Sequence, residues 1–314
     1  MEIYGPVNSR RLGLSLGVNH LPPKTCSYSC VYCQLGRTSF LTTTWTAYSQ
    51  PDEIVNGVRA RMDELAAQEV YPDVITFVAN GEPTLDRSIS DSIRMLKDAG
   101  IRTAVISNAS MLWHPGIRAG LMEADVVSIK VDTLDEATWH RLDRPHGTLV
   151  FKEVLTGIRW FAASYGGKLM TETMLVAGVN DSDEEADQTA AFIAGLHPTA
   201  SYLSLPLRPP AENWVSPPDA DRLIALYQRY KQAIPSIELL MELPESDLPH
   251  SSQPIKDLIK TLMVHPLEES EIRRHLEKHA LPPNTLDDLV KDSIILAQKA
   301  ESGTYYLADY RHLA

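Results

Sequence analysis

The chain has 314 residues, 44% of them hydrophobic, with a net charge of −12 and a pI near 5.3. That length accommodates one large α/β domain, or a domain of about 200–250 residues with a small appendage. No apolar run approaches the ~20 residues that span a bilayer. The opening MEIYGPVNSRR has no basic segment leading into an apolar one, so no signal peptide is read there and the expected compartment is the cytoplasm. The acidic balance argues against bulk nucleic-acid binding, which depends on Lys and Arg neutralising phosphates, while leaving room for a local basic groove.

Along the chain, LGLSLGVN (12–19) is a short apolar run ahead of a loop containing all three cysteines of the protein, Cys26, Cys30 and Cys33. Apolar residues at helical spacing predict a helix over 52–68, with Ile54, Val55, Val58, Met62 and Leu65 on one face. VITFVA (74–79) is continuously apolar, as expected of a strand buried on both faces. A helix over 86–99, ending at Gly100, follows. The pattern repeats: strands at 102–107, 126–131, 169–176 and 201–207, with helices near 115–123, 150–164 and 183–195. Six strands, each but the last followed by a helix, predict a parallel sheet. Functional residues in such folds gather where strands end and βα loops begin.

Residues 208–253 are rich in proline and predict one helix near 219–233, which gives a bridging segment. From Pro254 to 314 three short helices and two strands joined at Ser302-Gly303 have the winged-helix pattern. That region holds eight Lys or Arg against ten Asp or Glu, and its third helix, NTLDDLVKDS, is acidic. A surface that docks protein or peptide is expected there rather than one that binds DNA. The expected organisation is therefore 1–207, 208–253 and 254–314.

The thiols fall in the array C-x3-C-x2-C within TCSYSCVYCQLG (25–36), and an odd number of cysteines makes no disulfide framework. A structural zinc site takes four ligands, and no His follows within a few residues; His20 lies upstream. A [4Fe–4S] cube offers one position per iron, so three thiolates leave one iron open. Incidental cysteines, a zinc site and a redox thiol are the competing readings.

C-x3-C-x2-C with an aromatic, Tyr32, before the last Cys resembles the signature of the radical S-adenosylmethionine (SAM) superfamily. The resemblance implies a partial (β/α)6, TIM-like barrel over about residues 4–210. It further implies a [4Fe–4S] cluster on Cys26, Cys30 and Cys33, with SAM on the open iron. One electron then cleaves SAM to a 5′-deoxyadenosyl radical that abstracts hydrogen from a substrate. An electron donor such as flavodoxin or ferredoxin is implied as well.

NGEPTL (80–85), after the second strand, resembles the Gly-Glu-Pro motif, so Gly81, Glu82 and Pro83 are expected at the SAM ammonium; Asn80 stands where relatives often carry glycine. By the same resemblance Ser107 and Asn108 face the SAM carboxylate or ribose, and the strand near Met174, with the Tyr32 main chain, meets the adenine. Lys130 and Asp132 share strand parity. They fit a structural pair, a SAM-ribose contact or the catalytic machinery. Arg208, before two prolines, suits an anionic substrate, and Arg10 and Arg11 are placed to close the barrel's mouth.

IYGPVNSRRLGLSLGVN, KTCSYSCVYCQLGRT, GEPTL, RPHGTLVF and MLVAGVND together look like the branch holding the wyosine-type tRNA-modifying enzymes and bacterial relatives of unassigned function. This chain has no cysteine outside 26–33 for a second cluster, so the wyosine reaction itself is not expected. Two alternatives stand beside a radical SAM enzyme of unidentified substrate: one that modifies a tRNA base, and a non-catalytic iron–sulfur redox sensor acting through its C-terminal region.

Overall fold

A computed structural model describes residues 1–240, 253–262, 267–300 and 303–309. An antiparallel hairpin, β1 (Glu2–Ser9) and β2 (Gly13–Asn19), leads into the cysteine loop. There two short strands, β3 (Thr25–Cys26) and β4 (Phe40–Leu41), pair in parallel. Helix α1 (Pro51–Ala66) returns the chain to β5 (Val74–Phe77), which a short 3₁₀ turn (Pro83–Leu85) joins to α2 (Ile89–Asp98). Then come β6 (Thr103–Ser107), α3 (Pro115–Leu121), β7 (Val126–Lys130), α4 (Glu136–Leu142), α5 (Phe151–Ser164), β8 (Lys168–Met174), α6 (Asp183–Ala194) and β9 (Ala200–Ser204). Helix α7 (Ala220–Ala233) and β10 (Ile237–Leu240) follow.

One eight-stranded sheet results, in the order β1-β2-β5-β6-β7-β8-β9-β10, parallel throughout except for β1. Strand parity divides its residues between two environments. Leu16, Val18, Ile75, Phe77, Val105, Val127, Ile129 and Leu203 join one core with Ile54, Ile93, Phe161 and Ile193 from the helices. Their neighbours of opposite parity, among them Ser15, Thr76, Ser128, Lys130, Glu172, Met174 and Ser204, line a cavity. Near the strand starts that inner side is closed by Val74, Ala104, Val126, Met170 and Tyr202.

All six expected strands form, and the sheet gains two more. The strand expected to end at residue 207 stops at Ser204, because Pro206 and the Pro209-Pro210 pair cannot donate to a ladder. Helix α2 begins at Ile89 rather than 86: the Asp86 carboxylate accepts from Tyr48 N, Ser49 Oγ and Ser88 N, holding the chain in a turn first. Helix α4, absent from the sequence expectation, is capped by Asp135, whose side chain accepts from Thr138 N. The bridging segment contributes β10 as well as its helix, so the sheet continues to Leu240.

Helices α8 (Pro254–Leu262), α9 (Glu269–Lys278) and α10 (Thr285–Lys291) enclose a second core with β11 (Leu267–Glu268), β12 (Ile295–Ala300) and β13 (Gly303–Ala308). The strands form an antiparallel sheet in the order β11-β13-β12. Of the expected Ser302-Gly303 turn, Gly303 opens β13, whereas Ser302 lies outside the described residues. Among the described residues no helix is long and apolar enough to cross a membrane.

Helix α8 packs against β1, and a buried ion pair fastens the contact. Arg61 on α1 donates to Gly5 O at 2.9 Å and meets Asp257 on α8 at 3.1 Å. Removing one member of a buried pair leaves the other charge uncompensated, which typically costs ~3–5 kcal/mol. Asp257→Ala is therefore expected to lower unfolding stability by about 3 kcal/mol in chemical denaturation. Arg61→Met combined with Asp257→Leu should recover most of that loss.

Candidate active site

The cysteine loop is held from both sides. Phe40 N donates to Lys24 O at 3.1 Å and Thr42 N to Cys26 O at 2.9 Å, closing the loop on itself. Val31 N donates to Leu142 O at 2.9 Å, and Ser29 N to Asp143 O at 3.0 Å, tying it to the end of α4. Within the loop, Cys33 N donates to Cys30 O and Gly36 N to Cys33 O. All three thiols are free and partly buried, and all line the cavity of about 460 Å³ inside the sheet. Burial pushes the Cys26 thiol up to about 12, with the nearby Glu82 carboxylate adding to it; burial likewise raises Cys30 well above the usual thiol range.

The loop after β5 docks directly against the thiols. Glu82 N donates to Thr25 O at 3.0 Å, and Thr25 forms a parallel bridge with Gly81. At Gly81 φ is +154°, and a Cβ there would fall 1.6 Å from Thr25 O. Asn80, standing where relatives often carry glycine, accepts from Lys24 N at 3.0 Å through its side chain, while its own N donates to Asn19 Oδ1 at 3.0 Å. Asn80 thus holds the start of the cysteine loop through its side chain and the end of β2 through its main-chain N.

Glu82 is the hub of this wall. Its Oε1 accepts from Thr84 N at 3.0 Å, from Thr84 Oγ1 and from Ser107 Oγ at 2.8 Å; its Oε2 accepts from Asn108 N at 2.6 Å. Burial raises its pKa, against the opposing pull of these four donors. Asn108 then turns its side-chain amide to the loop, with Nδ2 3.0 Å from Ser27 Oγ and 3.6 Å from Cys26 Sγ. A carboxylate expected to contact a ligand alone thus also locks two βα loops to the first cysteine.

A second network lies deeper. Tyr32 OH donates to Asp132 Oδ2 and stands 3.1 Å from Asp143 Oδ1. The Lys130 ammonium sits 4.8 Å from the Tyr32 ring centroid, 3.3 Å from Glu172 and 3.7 Å from Asp132, a cation–π contact beside two ion pairs. Burial opposes the Lys130 charge, but Asp132 and Glu172 outweigh it and hold the Lys130 pKa above its ordinary value. Asp132 also accepts from Met174 N at 2.7 Å. Asn180 donates to Asp132 O at 2.8 Å and to Met174 O at 2.7 Å, and accepts from Val176 N at 2.9 Å. Burial, with the Asp132 charge next, pushes Asp143 up to about 8.

Of the residues singled out from sequence, Cys26, Cys30, Cys33, Tyr32, Gly81, Glu82, Ser107, Asn108, Lys130 and Met174 all line the one cavity. Asp132 lies behind that wall. Pro83 is buried in the turn, with its carbonyl 3.3 Å from His20 Nε2. Arg11 reaches in from the β1–β2 turn to pair with Glu172, its guanidinium 5.9 Å from the Tyr202 ring centroid. Asp143 and Asn180 were missed as site residues. Asn180 lies in the quoted MLVAGVND, but nothing local ties it to Asp132.

The donor set fits an iron–sulfur cluster. Three soft thiolates with no competing imidazole suit iron–sulfur or zinc chemistry, and an amide proton directed at one sulfur is a familiar means of tuning a cluster. Among the described residues no three His, Cys, Asp or Glu side chains converge as a single metal ion would require. A cluster instead takes each thiolate on a different iron.

Residues 21–193 match the model of the Radical SAM superfamily. The chain is 34% identical over 310 residues to UPF0026 protein MJ1312 of Methanocaldococcus jannaschii, covering 98% of this chain and 96% of that one. It is also 34% identical over 210 residues to a UPF0026 protein of Helicobacter pylori, covering 66% of this chain and 67% of the relative. Among solved structures, a radical SAM methyltransferase from Sphaerobacter thermophilus matches with a TM-score of 0.54 and 17% identity, over 72% of this chain and 66% of that one. That likeness is one of fold.

Proposed function

The chain belongs to the radical SAM superfamily, whose members bind a [4Fe–4S] cluster and SAM, and from that premise we propose an enzyme that cleaves SAM reductively to abstract hydrogen from a substrate. The observation that carries the proposal is the shared wall: three free thiols, the Gly81-Glu82 loop and Asn108 line one cavity. When bound, the cluster and SAM supply the electron transfer and the radical; the protein positions them and excludes side reactions.

Each residue then has a stated task. Cys26, Cys30 and Cys33 hold the cluster, with the Asn108 amide on the Cys26 sulfur. Gly81 brings backbone close to the cysteine loop, and Pro83 shapes the turn behind it. Among the described residues the Glu82 Oε2 accepts from Asn108 N alone, which leaves room for one more donor, and an ammonium there makes a charge-assisted bond. Ser107, Asn108, the Tyr32 main chain and the strand at Met174 complete the SAM seat. Lys130 and Asp132 fix the floor beneath it, Asp132 by holding Met174 N and Tyr32 OH.

The barrel unit is taken to run to Leu240, beyond the expected 207, with a winged-helix-like unit from Pro254. That unit, acidic on its third helix, suits docking to protein or peptide, and reduction is assigned to a flavodoxin or ferredoxin in the cytoplasm. The test is anaerobic reconstitution with iron and sulfide, then dithionite and SAM, measuring 5′-deoxyadenosine. Its formation by the wild type and its loss in Cys33→Ala are expected. A Cys33→Ala variant that still bound four irons and cleaved SAM would refute the ligand assignment.

A further inference from the structure

We infer that Glu212 is a positioning residue for SAM: from the strap between β9 and α7 it fastens the cysteine loop to the loop after β8, and so sets the gap that receives the adenine. This deepens the SAM-cleaving reading and rests on it. In that reading the adenine lies between the Tyr32 main chain and the strand at Met174. These two segments belong to distant parts of the sheet. The cysteine loop leaves from β2 and Met174 ends β8, with β5, β6 and β7 between them. Ladder hydrogen bonds fix the spacing of adjacent strands, whereas strands this far apart accumulate the twist of every step between them.

The strap spans that gap directly. Glu212 N donates to Val31 O at 3.0 Å, one residue from Tyr32, and Ala177 N donates to Ser216 O at 2.9 Å, three residues from Met174. Between these two ties Val215 packs with Val31, Tyr32, Val176 and Val179. Its N donates to Glu212 O at 3.1 Å, which folds the strap into a turn. Pro209-Pro210 and Pro217-Pro218 stand on either side, and their fixed φ stiffens the approach and the exit. The Glu212 side chain, 9% exposed, adds a charged grip. It accepts from Arg37 Nε at 2.8 Å and from Arg37 Nη2 at 2.9 Å, one bond to each oxygen, and its Oε1 also accepts from Arg144 Nη1. Arg37 lies four residues beyond Cys33, and Arg144 follows Asp143, whose carbonyl receives Ser29 N. One carboxylate therefore grips the far end of the cysteine loop and the segment that braces its near end. A bidentate guanidinium–carboxylate pair fixes orientation as well as distance. Tyr32 OH and Met174 N also meet at Asp132, a separate tie that keeps the site folded when the strap's grip is lost.

The experiment is anaerobic calorimetric titration of the reconstituted protein with SAM, without reductant, alongside iron content and the urea midpoint. The stoichiometry counts the loaded chains, and the Kd reports the seat. Glu212→Ala is expected to raise the Kd about tenfold at unchanged stoichiometry. Glu212→Gln, which keeps an acceptor oxygen for the guanidinium groups, should recover most of that loss. Arg37→Ala removes a side chain that is 72% exposed and so leaves no hole in the core. It should raise the Kd about threefold, the scale of one ion pair with an exposed partner. A Glu212→Ala variant that binds SAM as tightly as the wild type overturns the inference, and a lowered urea midpoint beside that unchanged Kd makes the contact structural alone. If Glu212→Ala takes up no iron, Arg37→Ala decides, and an unchanged Kd there overturns the inference. Either result, with SAM bound by the wild type, leaves the cofactor reading standing. A wild type that takes up iron but binds no SAM defeats the cofactor reading and this inference with it.

Discussion

Gly81→Ala is expected to abolish cluster assembly while leaving the secondary structure intact. The added Cβ would sit 1.6 Å from Thr25 O and 2.5 Å from Thr25 C. Both are backbone atoms immediately before Cys26, so no side-chain rotation relieves the overlap. Either the loop after β5 or the first cysteine must move by more than an ångström. The Glu82 N to Thr25 O bond goes with it, and the Asn108 amide loses its register on Cys26. Iron and sulfide per chain after reconstitution are expected to fall to background, with the far-ultraviolet circular dichroism unchanged. A full iron complement in this variant would mean that the two loops do not meet as described.

Glu82→Ala is expected to be nearly as damaging by a different route. Four donors converge on the carboxylate, from Thr84 N, Thr84 Oγ1, Ser107 Oγ and Asn108 N. Each buried donor left without an acceptor costs about 1–3 kcal/mol, and the hydroxyls can turn elsewhere while the two backbone groups cannot. A loss of about 3 kcal/mol in urea unfolding is expected, together with a fall of at least two orders of magnitude in SAM affinity. Glu82→Gln separates the two effects. It keeps one acceptor oxygen but sets an amide against Thr84 or Asn108 N, and it removes the charge that would meet an ammonium. Stability restored only in part, with SAM binding still absent, is the expected result. Full SAM affinity in Glu82→Gln would take Glu82 out of the ligand site.

What could be read from the sequence was what is local. Val74–Phe77, Val126–Lys130 and the other parallel strands announce themselves as apolar runs because helices bury one face and the barrel interior shelters the other. β1 was missed because Gly5 and Pro6 interrupt its pattern, and β10 because Glu238 interrupts its short apolar run. Helix α4 is seven residues long, and only its Asp135 cap marks it. The same division holds in the site. Cys26, Cys30, Cys33 and the Gly81-Glu82 pair lie in short motifs. Arg11 and Glu172 are separated by 161 positions, and Tyr32 and Asp143 by 111. Pairs so distant are made by the sheet order, which no local pattern encodes. The sequence reading gave Glu82 a ligand role, but it could not see that the same carboxylate holds the loops together.

The pairing of Arg11 with Glu172 also sets an order of events. The cysteines are made early, but Asn108 comes roughly 80 residues later, and the β9 strand carrying Tyr202 nearly a hundred after that. At about 5–20 residues per second, the thiols wait many seconds before the amide that faces Cys26 and the far wall of the cavity exist. Iron delivered to the nascent chain would find three thiols on an open loop, without the groups that complete the site. The groups that face the thiols across the cavity therefore come together only once the sheet has closed as far as β9.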